Sequence, residues 1–338
     1  MKLLVTGCCG FIGSHFVKHA IKLGHEVIGI DLLTYAGRSK NIPELNRGLL
    51  DGGRLLVGDI CDAEFVHAVV DWHQPDAVIH LAAESHVARS IESRDEFLRT
   101  NVMGTNTLLE ACLKYWRGGI PLEIGGEFPV VSQFRFLYVS TDEVYGSLQP
   151  NEPPWTELSP YAPNNAYAAS KAAGDHLVRA YHKTYGLPTI ITHSANNYGT
   201  RQHPEKLIPT LIRQLMHNES MTLHGDGMNI RDWLHVSDHC RGLMAALTYG
   251  RPGTVYNFGG ECERTNLRIA TTIARVMSKS ANIEMMLDRA GNDARYATNN
   301  SHVRQALGWE PGPSIEHRIA DVVQWYINNP DYGDEYGS

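Results

Sequence analysis

Lys2-Leu3-Leu4-Val5-Thr6-Gly7-Cys8-Cys9-Gly10-Phe11-Ile12-Gly13 is the stretch that decides the fold. Lys2 to Val5 has the length and apolar character of a buried strand, and Ser14 to Leu23, behind the glycines, has helical periodicity. Between them Gly7, Gly10 and Gly13 allow a tight turn, close approach of backbone to a ligand, and packing of helix on strand. A helix N-terminus at that point attracts an anion such as a pyrophosphate. His25 to Asp31 reads as a second strand ending in an acid, about 20 residues after the loop, the spacing of a dinucleotide-binding βαβ unit. Asp31 suits the ribose hydroxyls and repels a 2′-phosphate, which predicts NAD over NADP; the alternative is an acid that only closes a turn.

Beyond this unit, strands are expected at Arg54 to Val57, Ala77 to Leu81, Phe134 to Ser140 and Thr189 to His193. Helices are expected at Glu64 to Trp72, Asn101 to Tyr115 and Tyr167 to Tyr185. Alternation of the two predicts an α/β fold, a Rossmann-type doubly wound parallel sheet. Gly118 to Gln133 is rich in glycine and proline and predicts an excursion. After about Asn196 the segments shorten, with a helix near Ile208 to His217, a turn at Gly225-Asp226-Gly227, apolar pieces around Val255 and Ile283, and a last helix over Ser314 to Ile327. The expected division is a dinucleotide domain over 1–195 and a smaller, interwoven substrate lobe over 196–338, some of whose segments return to the first, with a loose tail from Asp331 to Ser338.

The chain has 338 residues, 43% of them apolar and 20% charged, which excludes disorder and fibrous repeats. A net charge of −7 without a basic run argues against nucleic acid. No window approaches the roughly 18 uninterrupted apolar residues of a membrane span. Met1 to Gly7 lacks the apolar segment of a secretory leader, so none is expected, and the expected location is cytoplasmic. The six cysteines, Cys8 and Cys9 among them, form no CxxC pair, and the 17 histidines form no HExxH set, so no metal site is expected. Small thiols at Cys8 and Cys9 fit the loop, although a helix N-terminus can also make a thiol reactive.

Chemistry concentrates in Ser140-Thr141-Asp142-Glu143-Val144-Tyr145-Gly146 and Tyr167-Ala168-Ala169-Ser170-Lys171. Tyr167 and Lys171 are four apart and share a helix face. An ammonium beside a phenol favours phenolate, so Lys171 is expected to lower the Tyr167 pKa; the alternative is an aromatic packed beside a snorkelling lysine. Thr141 can bond the same substrate oxygen. Alternation along an extended strand separates Asp142 and Glu143; only a turn at the strand end would reunite them. Asp59-Ile60, after the third strand, can offer an acceptor and an apolar side chain to adenine, though Asp at a strand end also caps helices.

This set resembles the extended short-chain dehydrogenase/reductases, and within them the dTDP-glucose 4,6-dehydratases. The resemblance runs through Leu81-Ala82-Ala83-Glu84-Ser85-His86-Val87, Pro160-Tyr161-Ala162-Pro163, Asn196-Asn197-Tyr198-Gly199, Pro204-Glu205-Lys206-Leu207-Ile208-Pro209, Ile230-Arg231-Asp232-Trp233 and Leu307-Gly308-Trp309. It implies an NAD-dependent lyase acting on a nucleotide-diphosphate sugar. Thr141, Tyr167 and Lys171 would serve C4 oxidation, Glu143 would remove the C5 proton, and Asp142 would assist loss of the C6 hydroxyl. Gly7, Gly10, Phe11, Ile12, Gly13, Asp31, Asp59, Ile60, Leu81, Ala82 and Ala83, together with Tyr167 and Lys171, would line the cofactor. Lys206 and Arg231 would hold the diphosphate, with Glu205 and Leu207 beside Lys206. Asn196, His224, Asn266 and Arg295 would touch the nucleotide, Ser85 the sugar, and Asn101 would support the site. A homodimer through the helices at Asn101 to Tyr115 and Tyr167 to Tyr185 is implied by fold analogy.

Departures from the family pattern are Cys8-Cys9, Ala88, His224, Asn292 and Ala294. They touch recognition more than chemistry, so another nucleotide sugar is an alternative; a UDP-hexose 4-epimerase and a non-catalytic NAD sensor are separate alternatives.

Overall fold

A computed structural model of the chain describes residues 1–45, 54–119, 133–288 and 291–334. Strand β1 (Lys2–Thr6) is followed by helix α1 (Phe11–Lys22), β2 (Glu26–Asp31), β3 (Leu55–Val57), α2 (Ala63–His73) and β4 (Ala77–His80). Two short helices, α3 (Val87–Glu92) and α4 (Arg94–Leu98), lead through a π-helical segment, Arg99–Gly104, into α5 (Thr105–Trp116). Then come β5 (Arg135–Thr141), a 3-10 turn at Asp142–Tyr145, α6 (Ala166–Tyr185), β6 (Thr189–Ser194) and β7 (Asn196–Tyr198). The remainder holds α7 (Leu207–Met216), β8 (Met221–His224), β9 (Ile230–His235), α8 (Val236–Tyr249), β10 (Val255–Phe258), β11 (Glu263–Thr265), α9 (Asn266–Val276), β12 (Ile283–Met286), α10 (Ser301–Leu307), α11 (Ile315–Asn328) and α12 (Asp331–Asp334).

The large sheet has the order β10-β6-β5-β4-β1-β2-β3, with β1 parallel to both β2 and β4. The order reverses at β1, the switch point outside which ligands bind in open α/β sheets. Leu3, Leu4 and Val5 are fully buried, as expected for a parallel strand covered on both faces. The expected Rossmann-type sheet is therefore present.

The chain divides into two interleaved units, 1–144 with 165–193 and 240–256, and 145–164 with 194–239 and 257–338. In the first, Phe136, Tyr138, Leu108 and Val178 belong to the core cluster. Helix α6 in this unit is bounded by Asn165, whose side chain accepts the Ala168 N–H, and by Gly186 in the left-handed region at φ 77°, where glycine has no Cβ penalty. In the second unit α7, α9 and α11 contribute Leu211, Ile273 and Ile319 to their own core. Its small sheets have the orders β11-β9-β7 and β12-β8.

Several expectations need correction. The helix expected at Asn101 to Tyr115 starts as a π segment and becomes α-helical only at Thr105. Helices α8 and α9 were not anticipated, because the periodicity of the second half is broken into short pieces. Residues 331–334 of the expected loose tail form α12, with Tyr332 buried and its hydroxyl donating to the Arg201 carbonyl. Positions 120–132 of the expected excursion, and 335–338, lie outside the described residues.

Candidate active site

The glycine loop forms at the C-terminal end of β1. Gly7 sits at φ 67°, and a Cβ there would come within 2.6 Å of the Ala82 nitrogen. A Cβ on Gly13 would collide with the Gly7 carbonyl oxygen, so close packing of α1 on the loop requires glycine at both positions. Gly10 is the N-cap of α1 and makes no side-chain cap, which leaves the first N–H groups of the helix to a ligand. Phe11 opens α1 with its ring edge-on to His15, and the Ile12 carbonyl faces the Cys240 thiol.

Asp31 ends β2 and is buried. Cys9 N–H donates to its Oδ2 and Leu33 N–H to its Oδ1, both at 2.8 Å. Burial raises its pKa and the two N–H bonds oppose this. Each oxygen retains a lone pair for a ribose hydroxyl. A tight turn with glycine at 7, 10 and 13, an uncapped helix start and this carboxylate together fit a dinucleotide.

Leu81 and Ala82 follow β4 and donate their N–H groups to Thr6 Oγ1, both at 3.2 Å, while His80 Nδ1 lies 2.8 Å from the same hydroxyl. Ala83 and Ser85 lie in the half-buried run that follows. Thr6 thus ties β1 to the strand end beside the loop, a role with no signal in the sequence. Burial, followed by the Lys171 charge, lowers the His80 pKa to about 3, so its imidazole is neutral.

Asp59 accepts the Cys61 N–H (2.8 Å) and an Arg99 N–H (2.6 Å). Burial pushes its pKa up, but these partners outweigh it and the net shift is downward. The N-cap of α2 is Asp62 instead, accepting the Phe65 N–H. Ile60 belongs to the hydrophobic core, with its side chain against Gly104.

At the end of β5 the chain turns immediately into the 3-10 segment, so Asp142 and Glu143 are not separated by strand alternation. Thr141 Oγ1 donates to Asp142 Oδ1 (3.4 Å) and accepts the Glu143 N–H (3.3 Å). Thr141 and both acids lie close enough to the Tyr167 phenol to act on its pKa, the acids raising it and the threonine hydroxyl lowering it. One turn therefore gathers a hydroxyl, two carboxyls and a phenol.

Lys171 is buried. Its Nζ donates to the Val139 carbonyl (2.9 Å) and lies 4.0 Å from the centre of the Tyr138 ring. Burial lowers its pKa to about 8, with Asp175 pulling the other way. The expectation that Lys171 lowers the Tyr167 pKa is not what the protein alone does. Burial first, then Glu143, raises the phenol pKa, and the Thr141 hydroxyl opposes this. The lysine spends its reach on a carbonyl and a different ring.

Three supporting groups complete this unit. Buried Asn101, inside the π segment, donates from Nδ2 to the Glu84 carbonyl (3.0 Å) and Ser170 Oγ (2.9 Å), and its Oδ1 accepts the Glu84 N–H (2.9 Å). A π turn re-aims side chains relative to an α-helix, which is how Asn101 reaches two segments at once. Asp175, four residues beyond Lys171 on α6, lies 2.9 Å from His193 Nε2 with both side chains buried. The sequence reading missed this pair; its only signal was the spacing Tyr167, Lys171, Asp175 along one helix face.

The remaining candidates belong to the second unit. Asn196 opens β7, and its buried Oδ1 has no hydrogen-bond partner; the same holds for Asn266 Oδ1 at the start of α9. Glu205 lies 3.6 Å from His203 Nδ1, Lys206 is the N-cap of α7, and Leu207 packs at the edge of the core. Arg231, on β9, lies 4.4 Å from the centre of the Tyr296 ring, and its Nη2 donates to Asn292 Oδ1 (3.0 Å). Asn292, a departure from the family pattern, thus touches an expected diphosphate ligand. Nδ1 of His224 is 2.9 Å from the Leu287 carbonyl oxygen. Arg295 is buried and forks onto Glu263 at 2.5 and 2.9 Å, while its Nη1 donates to the Glu152 carbonyl (2.7 Å). Its guanidinium acts first as a structural tie.

A family profile described as GDP-mannose 4,6 dehydratase matches residues 4–322. The dTDP-glucose 4,6-dehydratase of Xanthomonas campestris pv. campestris is 44% identical over 96% of this chain and 93% of its own length. The chain belongs to the nucleotide-sugar 4,6-dehydratase family. Among solved structures, the Streptomyces venezuelae dTDP-glucose 4,6-dehydratase DesIV, determined with NAD bound, is similar with a TM-score of 0.89 and 40% identity, covering 99% of this chain and all of that one. A Thermus thermophilus UDP-glucose 4-epimerase in complex with NAD shares the fold at TM-score 0.85 but only 27% identity, covering 97% and 99% of the two chains. The nucleotide-sugar 4,6-dehydratase family thus agrees with the resemblance and the fold expected from the motifs. Among the described residues no helix is long and apolar enough to cross a membrane.

Proposed function

We propose that the chain is an NAD-dependent dTDP-glucose 4,6-dehydratase, converting dTDP-glucose to dTDP-4-keto-6-deoxyglucose and water. The observation that carries this reading is the turn after β5, which gathers Thr141, Asp142 and Glu143 around Tyr167. Oxidation and epimerisation at C4 need only a hydroxyl, a phenol and a lysine. Two additional carboxyls suit removal of water across C5 and C6.

Bound against Gly7, Gly10, Gly13 and Asp31, NAD supplies a hydride acceptor for C4 and a donor for C6, with no net redox change. Thr141 orients the C4 hydroxyl and Tyr167 takes its proton. Burial and Glu143 raise the Tyr167 pKa in the protein alone, so the phenol first gives up its own proton to solvent and then accepts that of the C4 hydroxyl. The C4 ketone acidifies the C5 proton, which Glu143 removes. Asp142, the more deeply buried acid, protonates the departing C6 hydroxyl; unlike environments divide the two roles.

The second unit is assigned to the nucleotide diphosphate. Arg231 and Lys206 supply cationic donors, and the unpartnered oxygens of Asn196 and Asn266 supply acceptors. A cytoplasmic homodimer is part of the proposal: Leu98 and Met103, at the start of the α5 region, are large apolar side chains left exposed. Sedimentation as a monomer at micromolar concentration would overturn the dimer.

The test is incubation of dTDP-, UDP-, CDP- and GDP-sugars with the enzyme and no added reductant. A 4-keto-6-deoxy product from dTDP-glucose is expected. A C4 epimer alone would replace this reading with a UDP-hexose 4-epimerase.

A further inference from the structure

Cys8 and Cys9 are chemically unused by the proposed reaction, yet their thiols lie 3.9 Å apart, fully buried. Two Zn–S bonds of about 2.3 Å at a tetrahedral angle span about 3.8 Å, so the pair already has the separation a single soft ion requires. A third candidate donor lies nearby. An oxygen of Asp31 and both sulfurs all lie within 4.8 Å of one another, and among the described residues this is the one grouping of three metal-ligating side chains. The carboxylate is oriented by the Cys9 and Leu33 N–H groups, an outer layer of the kind that fixes metal ligands. Space for Cys8 Sγ exists because residue 29 is glycine; a Cβ there would come within 2.5 Å of the sulfur.

We propose that Cys8, Cys9 and Asp31 form a binding site for one soft divalent d10 cation of the zinc and cadmium class. Binding replaces the two thiol protons with two metal–sulfur bonds; the protons leave to solvent and nothing is oxidised or reduced. Two thiolates and a carboxylate select a soft ion over magnesium or calcium, whose ligands are oxygens. Because Asp31 is also the proposed ribose acceptor, ion and dinucleotide compete; this second part rests on the NAD reading above. The site makes the loop a point at which thiophilic metal can displace cofactor.

The experiment is titration of the full-length protein with Cd(II), in a Cys61→Ser background because Cys61 is the partly exposed thiol. The readouts are the ultraviolet thiolate-to-cadmium charge-transfer band and the ion retained after gel filtration. Expected are one ion per chain, at least ten-fold weaker binding in Cys8→Ser and in Cys9→Ser, and weaker binding as NAD is added. On protein without those two substitutions, X-ray absorption at the cadmium edge should show two sulfur neighbours per ion, so a variant that fails to fold does not remove the test. Retention of the band in the Cys8→Ser, Cys9→Ser double variant, or cadmium without two sulfur neighbours, overturns the site. Binding that needs both cysteines but ignores NAD upholds the site and overturns the competition, while the product assay above judges the dehydratase reading separately.

Discussion

Lys171 in the first unit and Arg295 in the second are both buried cations, but they are held in opposite ways. Lys171 rests on a carbonyl and an aromatic face, and its pKa falls to about 8. Arg295 forks onto Glu263, and its pKa rises. A buried cation without a direct counter-ion remains able to change its charge near neutrality, whereas a paired one becomes a fixed part of the framework. The unit assigned to chemistry uses the first arrangement and the unit assigned to recognition the second.

The sharpest test of this contrast is Glu143→Gln. Loss of a general base should cost about 100- to 10,000-fold in kcat while NAD stays bound, measured by product formation beside cofactor absorbance. Equal loss of bound NAD would move Glu143 from chemistry to folding. On the recognition side, Arg231→Lys removes a planar fork, so KM for the nucleotide sugar should rise by about ten-fold or more with kcat less affected. A fall in kcat alone would put Arg231 with the chemical groups.

Glu263→Gln should destabilise the protein by about 1–3 kcal/mol, read from denaturant unfolding, because the Arg295 guanidinium keeps its carbonyl partners but loses its counter-charge. No change in stability would mean that Arg295 is available to substrate after all.

The smallest effect is on pH dependence. Activity that needs the Lys171 ammonium declines as pH rises through about 8. Asp175 holds that pKa up, so Asp175→Asn should move the alkaline limb of kcat/KM to lower pH. Other groups acting there are neutral His80, the Tyr138 ring, the Val139 carbonyl and the His193 partner of Asp175. An unmoved limb would make Asp175 a purely structural partner of His193.

Much of the first unit is legible in the sequence. The βαβ start, the acid at Asp31 and the alternation of strands and helices are local patterns, and backbone sterics and hydrophobic periodicity write those directly into the order of residues. The strand-end turn that brings Asp142 and Glu143 together could be named only as a condition. The π segment at Asn101, the Thr6 and His80 link, and the Asp175 and His193 pair left little trace, since their partners are distant in sequence and common in type. The second unit is less legible, because α8 and α9 are separated by short strands that break the helical period. Arg295 shows the limit of motif transfer: its residue type suits a diphosphate, but its guanidinium is committed to Glu263.

By itself the sequence determined the fold, the glycine turn after β1 and the membership of a dehydratase family, because glycine spacing, Tyr167 with Lys171, and Asp142 with Glu143 are constraints of local geometry and chemistry. Only the tertiary structure decided the electrostatics: that the Tyr167 pKa rises, that Lys171 faces a carbonyl and a ring, and that Cys8 and Cys9 converge on Asp31. Burial and the direction of a side chain depend on what the rest of the chain packs against it, and no spacing of residues encodes that.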